Sequence, residues 1–229
     1  MTAIKTLAVA CLFRRHDNVN SWVKMVTTHL PYAEPVLITE DNIHKRILQD
    51  QYPDLLVIKA HFKPCDGPSW PLCPHDGTKH GTGYRNMCRL WYADMWNYFR
   101  QFHTVVRIDS DITLIKVGEL NANTIASPHF TGADYHGVTE GMHELFGASR
   151  PSSINPYTNV MVVNLTWVRS SAKLHMWFDL VRATNCICHN RWGDLPLWGE
   201  TLRAMSLPAV KLQGWKYSHR SHNNVTVES

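Results

Sequence analysis

The sequence predicts an α/β fold with a mainly parallel central sheet and helices on both faces. Two observations carry this prediction. Strand-like and helix-like segments alternate from the N-terminus onward, and the most aromatic helix runs directly into the most β-branched strand. A third, 44% hydrophobic residues in a chain of 229, means that one domain can bury its own core without disulfides. Residues 6–13 read as a first buried strand. Val19–Leu30 is a helix introduced by Asp17-Asn18, "PVLIT" (35–39) a short strand, and Ile43–Gln51 a helix behind an Asp41-Asn42 cap. "LLVIKA" (55–60) completes a β-α-β-α-β order, which favours parallel strands joined by helical crossovers.

Residues 61–83 hold four prolines and four glycines and read as a long loop of functional type. In "YRNMCRLWYADMWNYFRQF" (84–102), Met87, Leu90, Trp91, Met95, Tyr98 and Phe99 fall at helical spacing, which predicts one continuous helix. "HTVVRI" follows as a strand ending at Asp109-Ser110-Asp111. Beyond a mixed region at 117–158 come a strand at 159–165, a helix from Trp167 to about residue 184, and a last helix opened by "RWGDLPLWG". Asp194 is placed as its cap, with Pro196 in its first turn. "PAVKL" (208–212) is a final strand and the remainder a polar tail. No internal repeat or interdomain linker breaks the chain, so it is read as one domain, 1–229.

The net charge of +4 comes without a dense Lys/Arg block, which argues against nucleic-acid binding. The seven-residue apolar run Leu7–Phe13 is too short to span a bilayer and has no cleavage site after it. That predicts no membrane-spanning segment, a cytoplasmic location and reduced cysteines. Cys65/Cys73 and Cys186/Cys188 lack CxxC spacing, although His75 and His80 near the first pair leave a zinc site conceivable. The acceptor-like triplets at Asn164 and Asn224 carry little weight in a chain read as cytoplasmic.

Asp109 and Asp111 stand one residue apart at the end of a buried strand, where open α/β sheets bind ligands. Two like charges there would be costly to bury unpaired. Hard divalent cations take one or two carboxylates together with substrate phosphates, so Mg²⁺ or Mn²⁺ gripping a diphosphate is one reading. A capped turn is the other.

"GYRNMCRLWYADMWNYFRQFHTVVRIDSDI" resembles the segment of fungal α-1,2-mannosyltransferases that runs Tyr-x-x-Met-Cys-Arg-Phe, helix, then a strand ending in Glu-Pro-Asp. Tyr84, Met87, Cys88 and Arg89 keep that spacing. "FDLVRATNCICHNRWGDLPLWG" resembles the same family's Arg-Trp-Gly-Asp-x-Pro block, with Arg191, Trp192, Gly193, Asp194 and Pro196 in step. The resemblance implies the GT-A fold, with 1–116 as a nucleotide-binding half ending in Asp-Ser-Asp and 117–229 as an acceptor-binding half. It implies a metal-dependent, retaining glycosyltransferase moving a hexose from GDP-mannose, or from a UDP-hexose such as UDP-galactose, to a glycan hydroxyl. The missing anchor departs from Golgi members. It suits a cytosolic enzyme or a domain of a larger chain, such as the multidomain glycosyltransferases of algal giant viruses.

On this reading Asp109 and Asp111 hold Mn²⁺ or Mg²⁺, with His219 in "GWKYSHRSH" as third ligand and His222 as its alternative. Ser110 and Lys216 join Asp109 at the donor, with Arg220 nearby. Tyr84, Arg85 and Arg89 stand near the donor, a guanidinium being suited to bidentate binding of diphosphate or sugar hydroxyls, and by position after the first strand Arg14 or Arg15 contacts the base or ribose. Arg89 has an ion pair with Asp94 or Asp109 as its alternative. Asp194 binds the acceptor or acts as a base toward its hydroxyl. Trp192, Trp198 and Trp215 are stacking platforms or core. The family carries a Glu nucleophile where this chain has Met161, which leaves Asp134, Glu140, Glu144 and Asp194 as replacement carboxylates, or attack from the front face. Two further functions compete: a lectin-like module without catalysis, and a nucleotidyltransferase or sugar-nucleotide hydrolase.

Overall fold

The computed structural model describes residues 5–13, 18–62, 82–132, 141–190, 192–220 and 225–229. The first half runs β1 (Lys5–Phe13), α1 (Val19–His29), β2 (Glu34–Thr39), α2 (Asn42–Gln51), β3 (Leu56–Lys59), α3 (Thr82–Arg89), β4 (Phe102–Ile108) and β5 (Ile112–Lys116). The second half runs β6 (Ile125–Ser127), β7 (Phe130–Thr131), α4 (Met142–Leu145), β8 (Asn155–Pro156), β9 (Val160–Asn164), α5 (Leu165–Ser170), α6 (Ala172–Thr184), α7 (Cys186–His189), α8 (Asp194–Ala204), β10 (Val210–Lys211), β11 (Lys216–His219) and β12 (Val225–Glu228).

Seven strands form the central sheet in the order β10-β6-β9-β4-β1-β2-β3. All neighbours are parallel except β9, which is antiparallel to β4 and to β6. The predicted α/β class with a mainly parallel sheet is the one observed. Its strands are apolar on both faces because helices cover both. Ala8, Ala10, Val105 and Met161 face a layer containing Trp91, Val168, Phe178 and Trp198. Val9, Cys11, Val106 and Val162 face a layer containing Trp22, Val26 and Leu48. Period-two alternation thus assigns each strand residue to one of two cores.

The caps hold α1 and α2 where the sequence places them. Asn18 Oδ1 accepts from the Ser21 amide at 3.0 Å and Asp41 Oδ1 from the His44 amide at 2.6 Å. Four expectations are corrected. The helix predicted over 84–102 is α3 followed by a π-helical turn at Leu90–Asp94 and a 3₁₀ turn at Met95–Asn97. The wider turn belongs to the stretch that buries Leu90, Trp91, Tyr92 and Ala93 together. Asp194 is not a cap: Gly193 occupies that position, and the Asp194 side chain turns inward. The polar tail contains two strands, and Cys188 is disulfide-bonded. That bond overturns the expectation that every cysteine is reduced.

Strands β5, β11 and β12 form a small antiparallel sheet in the order β12-β11-β5, with His219 opposite Ile112. This sheet folds the C-terminus back onto the end of β4. Gly118 lets the chains pass closely, since a Cβ there would sit 1.9 Å from the Gln213 carbonyl oxygen. Gly118→Ala is therefore expected to lower stability by about 1–3 kcal/mol through overpacking against backbone that cannot swing aside. Urea unfolding measures this. Among the described residues no helix is long and apolar enough to cross a membrane.

Candidate active site

Strand β4 carries a charge in a run that is otherwise fully enclosed. Arg107 is 2% exposed between Val106 and Ile108, both at 0%. A guanidinium so placed must be paired. Period two puts Asp109 on the same face, and there Arg107 Nε and Nη2 donate to the two Asp109 oxygens at 2.7 and 2.9 Å. Arg107 Nη1 donates to Asp194 Oδ2 from the first turn of α8. The guanidinium also lies over the Trp91 ring, 4.7 Å from its centroid, with Met87 Sδ 3.5 Å from Nη2. The Cys88 thiol is buried against Asp194, and its pKa is pushed well above the ordinary value, first by burial and then by the Asp194 charge.

Both sequence patches therefore converge on Arg107, a residue the sequence reading passed over. Burial opposes its charge, but Asp109 and Asp194 together hold its pKa above the ordinary value. Asp109 is pushed upward by burial, with Arg107 opposing and Asp111 and Asp194 adding to the rise. The signal available in the sequence was an arginine inside a buried strand, two positions before a carboxylate.

Asp111 faces elsewhere. The turn after β4 closes with the Ile112 amide donating to the Asp109 carbonyl at 3.1 Å, so the turn reading of Asp-Ser-Asp holds for the backbone. Past it, Asp111 Oδ2 meets His219 Nε2 at 3.0 Å. His219 Nδ1 lies 3.0 Å from Tyr157 Oη and 2.9 Å from Asn159 Nδ2. The Tyr157 hydroxyl is pushed up to about 12 by burial and then by Asp111 and Asp109. The backbone amide of Arg220 donates to the Asp111 carbonyl at 3.0 Å, and its Nη2 to the Ser110 carbonyl at 2.9 Å.

The other predicted residues disperse. Arg89 pairs with Asp94 at 2.9 Å, where Arg182 joins it. Arg85 is buried and donates to the Cys188 carbonyl at 2.7 Å; burial lowers its pKa. Tyr84 is more exposed, and its hydroxyl lies 4.0 Å from where a Gly193 Cβ would stand. Lys216 pairs with Glu228 at 2.9 Å. Trp192, Trp198 and Trp215 are enclosed, Trp198 among Tyr92, Trp96 and Phe178, so no ring presents an open face to a sugar. Met161 is fully buried opposite Arg107, and β9 offers no carboxylate in its place. Glu144 is exposed and touches His143. Arg14, Arg15, Asp134, Glu140, Arg191 and His222 lie outside the described residues.

Among the described residues no three His, Cys, Asp or Glu side chains surround a common point. Asp111 and His219 nevertheless offer a carboxylate oxygen and an imidazole nitrogen side by side, while both Asp109 oxygens are engaged by Arg107. Among the described residues, Asn159 Oδ1 and Tyr217 Oη are two of the eight buried side-chain polar atoms without a hydrogen-bond partner, as occurs where an ion or water belongs. The residues fit a divalent cation held by two protein donors, with other oxygens completing its shell.

Further along α8, Glu200 is 2% exposed and accepts from the Ser152 amide at 2.7 Å and from Arg203. Burial pushes its carboxyl above the ordinary 4.5, with Ser152 and Arg203 pulling the other way. The folded state thus holds that proton more tightly than the unfolded chain. The resulting stability is fully present below pH 4.5 and is lost as pH rises through the raised value. Glu200→Gln should flatten that part of the stability–pH curve, measured by urea unfolding across the range.

No protein-family model and no curated protein matches the sequence. Solved structures with a similar chain trace include mouse xyloside xylosyltransferase 1 in its apo form, at 13% identity and a TM-score of 0.45 over 86% of this chain and 81% of that one. The galactosyltransferase LgtC, in complex with donor and acceptor sugar analogues, is similar at 13% identity and a TM-score of 0.49, over 85% of this chain and 70% of that one. The apo glycosyltransferase GlyE of Streptococcus pneumoniae TIGR4 is similar at 11% and 0.46, over 90% of this chain and 44% of that one. Scores at this level leave function to the residues of this chain.

Proposed function

We propose that this chain is a metal-dependent glycosyltransferase of GT-A type that moves a hexose from a nucleotide sugar to a glycan hydroxyl. The donor class is a UDP-hexose such as UDP-galactose, or GDP-mannose. One observation carries the reading: Asp111 and His219 meet beyond the C-terminal end of β4, a strand parallel to β1, where open α/β sheets bind ligands. The two resembling patches support it, since they gather Met87, Asp109 and Asp194 on one arginine beside that pair.

Asp111 and His219 would hold Mn²⁺ or Mg²⁺, which supplies Lewis-acid neutralisation of the charge on a departing nucleoside diphosphate. Arg107 fixes the Asp194 carboxylate, which on this reading would meet an acceptor or donor hydroxyl. Asp109 serves this chain by anchoring Arg107. Tyr84, at the opening of α3 with its hydroxyl near Gly193, would contact the donor on this reading.

The test is nucleoside diphosphate release from a panel of UDP- and GDP-sugars with Mn²⁺, with and without glycan acceptors. Release that needs both acceptor and cation supports the proposal. Sugar binding without release, in keeping with buried Met161 at the nucleophile position, would replace it with the lectin-like reading. Pyrophosphate or monophosphate products would replace it with nucleotide transfer or hydrolysis. The anomeric configuration of the product by NMR decides between retention and inversion.

A further inference from the structure

Asn159 is 5% exposed and touches both arms of the Asp-Ser-Asp turn's surroundings. Its carbonyl accepts from the Asp109 amide at 3.0 Å, while its side-chain Nδ2 lies 2.9 Å from His219 Nδ1. Its other amide atom, Oδ1, is buried without a partner. An amide nitrogen can only donate, so His219 Nδ1 must accept from it. In the neutral ring the proton then sits on Nε2, from which it is donated to Asp111 Oδ2 at 3.0 Å. That tautomer gives no lone pair to a cation, because Nε2 is occupied on the side that faces Asp111.

A half-turn of the Asn159 amide exchanges Oδ1 and Nδ2 with almost no change of shape. Oδ1 would then accept a hydrogen bond from His219 Nδ1–H, while Nδ2 takes the position that Oδ1 leaves. The ring loses a proton at Nε2 and gains one at Nδ1, so its charge is unchanged, and the Nε2 lone pair is free beside Asp111. A metal-ligating histidine ordinarily donates its other ring N–H in this way. Tyr157 Oη, also on Nδ1 at 3.0 Å, can donate or accept and is compatible with both arrangements; Asn159 is the partner whose orientation discriminates between them.

We infer that Asn159 is the positioning residue that sets the tautomer of His219, and that reversal of its amide converts His219 from a hydrogen-bond donor to Asp111 into a cation ligand. The second half of this rests on the metal reading above; the first half does not.

The test uses the full chain labelled with ¹⁵N-histidine, with the His219 signals identified by their loss in His219→Gln. In the metal-free protein, Nε2 should carry the pyrrole-type shift and Nδ1 the pyridine-type shift. Asn159→Asp presents only acceptors and should give Nδ1 the pyrrole-type shift before any metal is added. Adding Mg²⁺ to the unaltered protein should likewise move the ring proton to Nδ1. Asn159→Leu, which removes both functions, should bind Mn²⁺ about 10–100-fold more weakly by electron paramagnetic resonance of the free ion. An Nδ1 that keeps its pyridine-type shift in Asn159→Asp, or that responds only to Tyr157→Phe, overturns the inference. A proton on Nδ1 in Asn159→Asp with no response of His219 to Mg²⁺ upholds the role of Asn159 and sinks the metal reading instead.

Discussion

Replacing Arg107 by leucine should lower the stability of the fold by about 3–5 kcal/mol, the cost of leaving buried carboxylates without their cation. Arg107 and Asp194 side chains are 3% and 5% exposed, against 27% for Asp109, so Asp194 bears most of the loss. Leucine also gives up the contact with Trp91 and the packing of the guanidinium stem. Lysine keeps the charge but cannot bridge two carboxylates in one plane, so Arg107→Lys should fall between the two. Pairing Arg107→Leu with Asp194→Leu should recover part of the loss, because the uncompensated charge goes with it. Urea denaturation of the four proteins measures this, and a loss below about 1 kcal/mol for Arg107→Leu would show that water reaches the cluster.

Under the proposed function, Asp111→Ala should leave folding nearly intact and reduce sugar transfer by at least about a hundredfold. The fold tolerates the change because Asp111 is 28% exposed and its partner His219 keeps Tyr157 and Asn159. Transfer does not, because a site with two protein donors loses half of them, and a few kcal/mol of charge neutralisation at the transition state corresponds to this factor or more. Asp109→Asn should show the opposite balance, with a larger loss of stability than of Mn²⁺ affinity, because its oxygens serve Arg107. Equal effects of the two variants on Mn²⁺ affinity would return Asp109 to the metal. A chelator should silence the unaltered protein, and added Mn²⁺ should restore it.

Much of the scaffold was legible because it depends on short-range rules. The β-α-β-α-β order, the caps at Asn18 and Asp41, and the buried strand leading to Asp109 follow from periodicity and from side chains that reach their own backbone. The family resemblance named Asp111 and His219 as ligands of one metal; what the structure shows is their side chains in hydrogen-bond contact, across 108 positions of sequence. Arg107 escaped because its one local signal, an arginine two positions before a carboxylate in a buried strand, does not say what else it pairs with; that appears only once α8 delivers Asp194 to it. The tryptophans misled for a related reason. Abundance suggests stacking platforms, whereas whether a ring is open or enclosed depends on which helices pack over it.

By itself the sequence determined the class of fold and the end of the sheet at which charged side chains collect. Both depend on apolar periodicity and on turn chemistry over a few residues. Only the tertiary structure decided that the two aspartates of one short motif part company. Asp109 is drawn inward because its strand neighbour on the same face is a buried cation. Asp111, carried past the turn onto the small antiparallel sheet, meets a histidine from the C-terminus. That division depends on strand register and on helix placement, which act over distances no local pattern records.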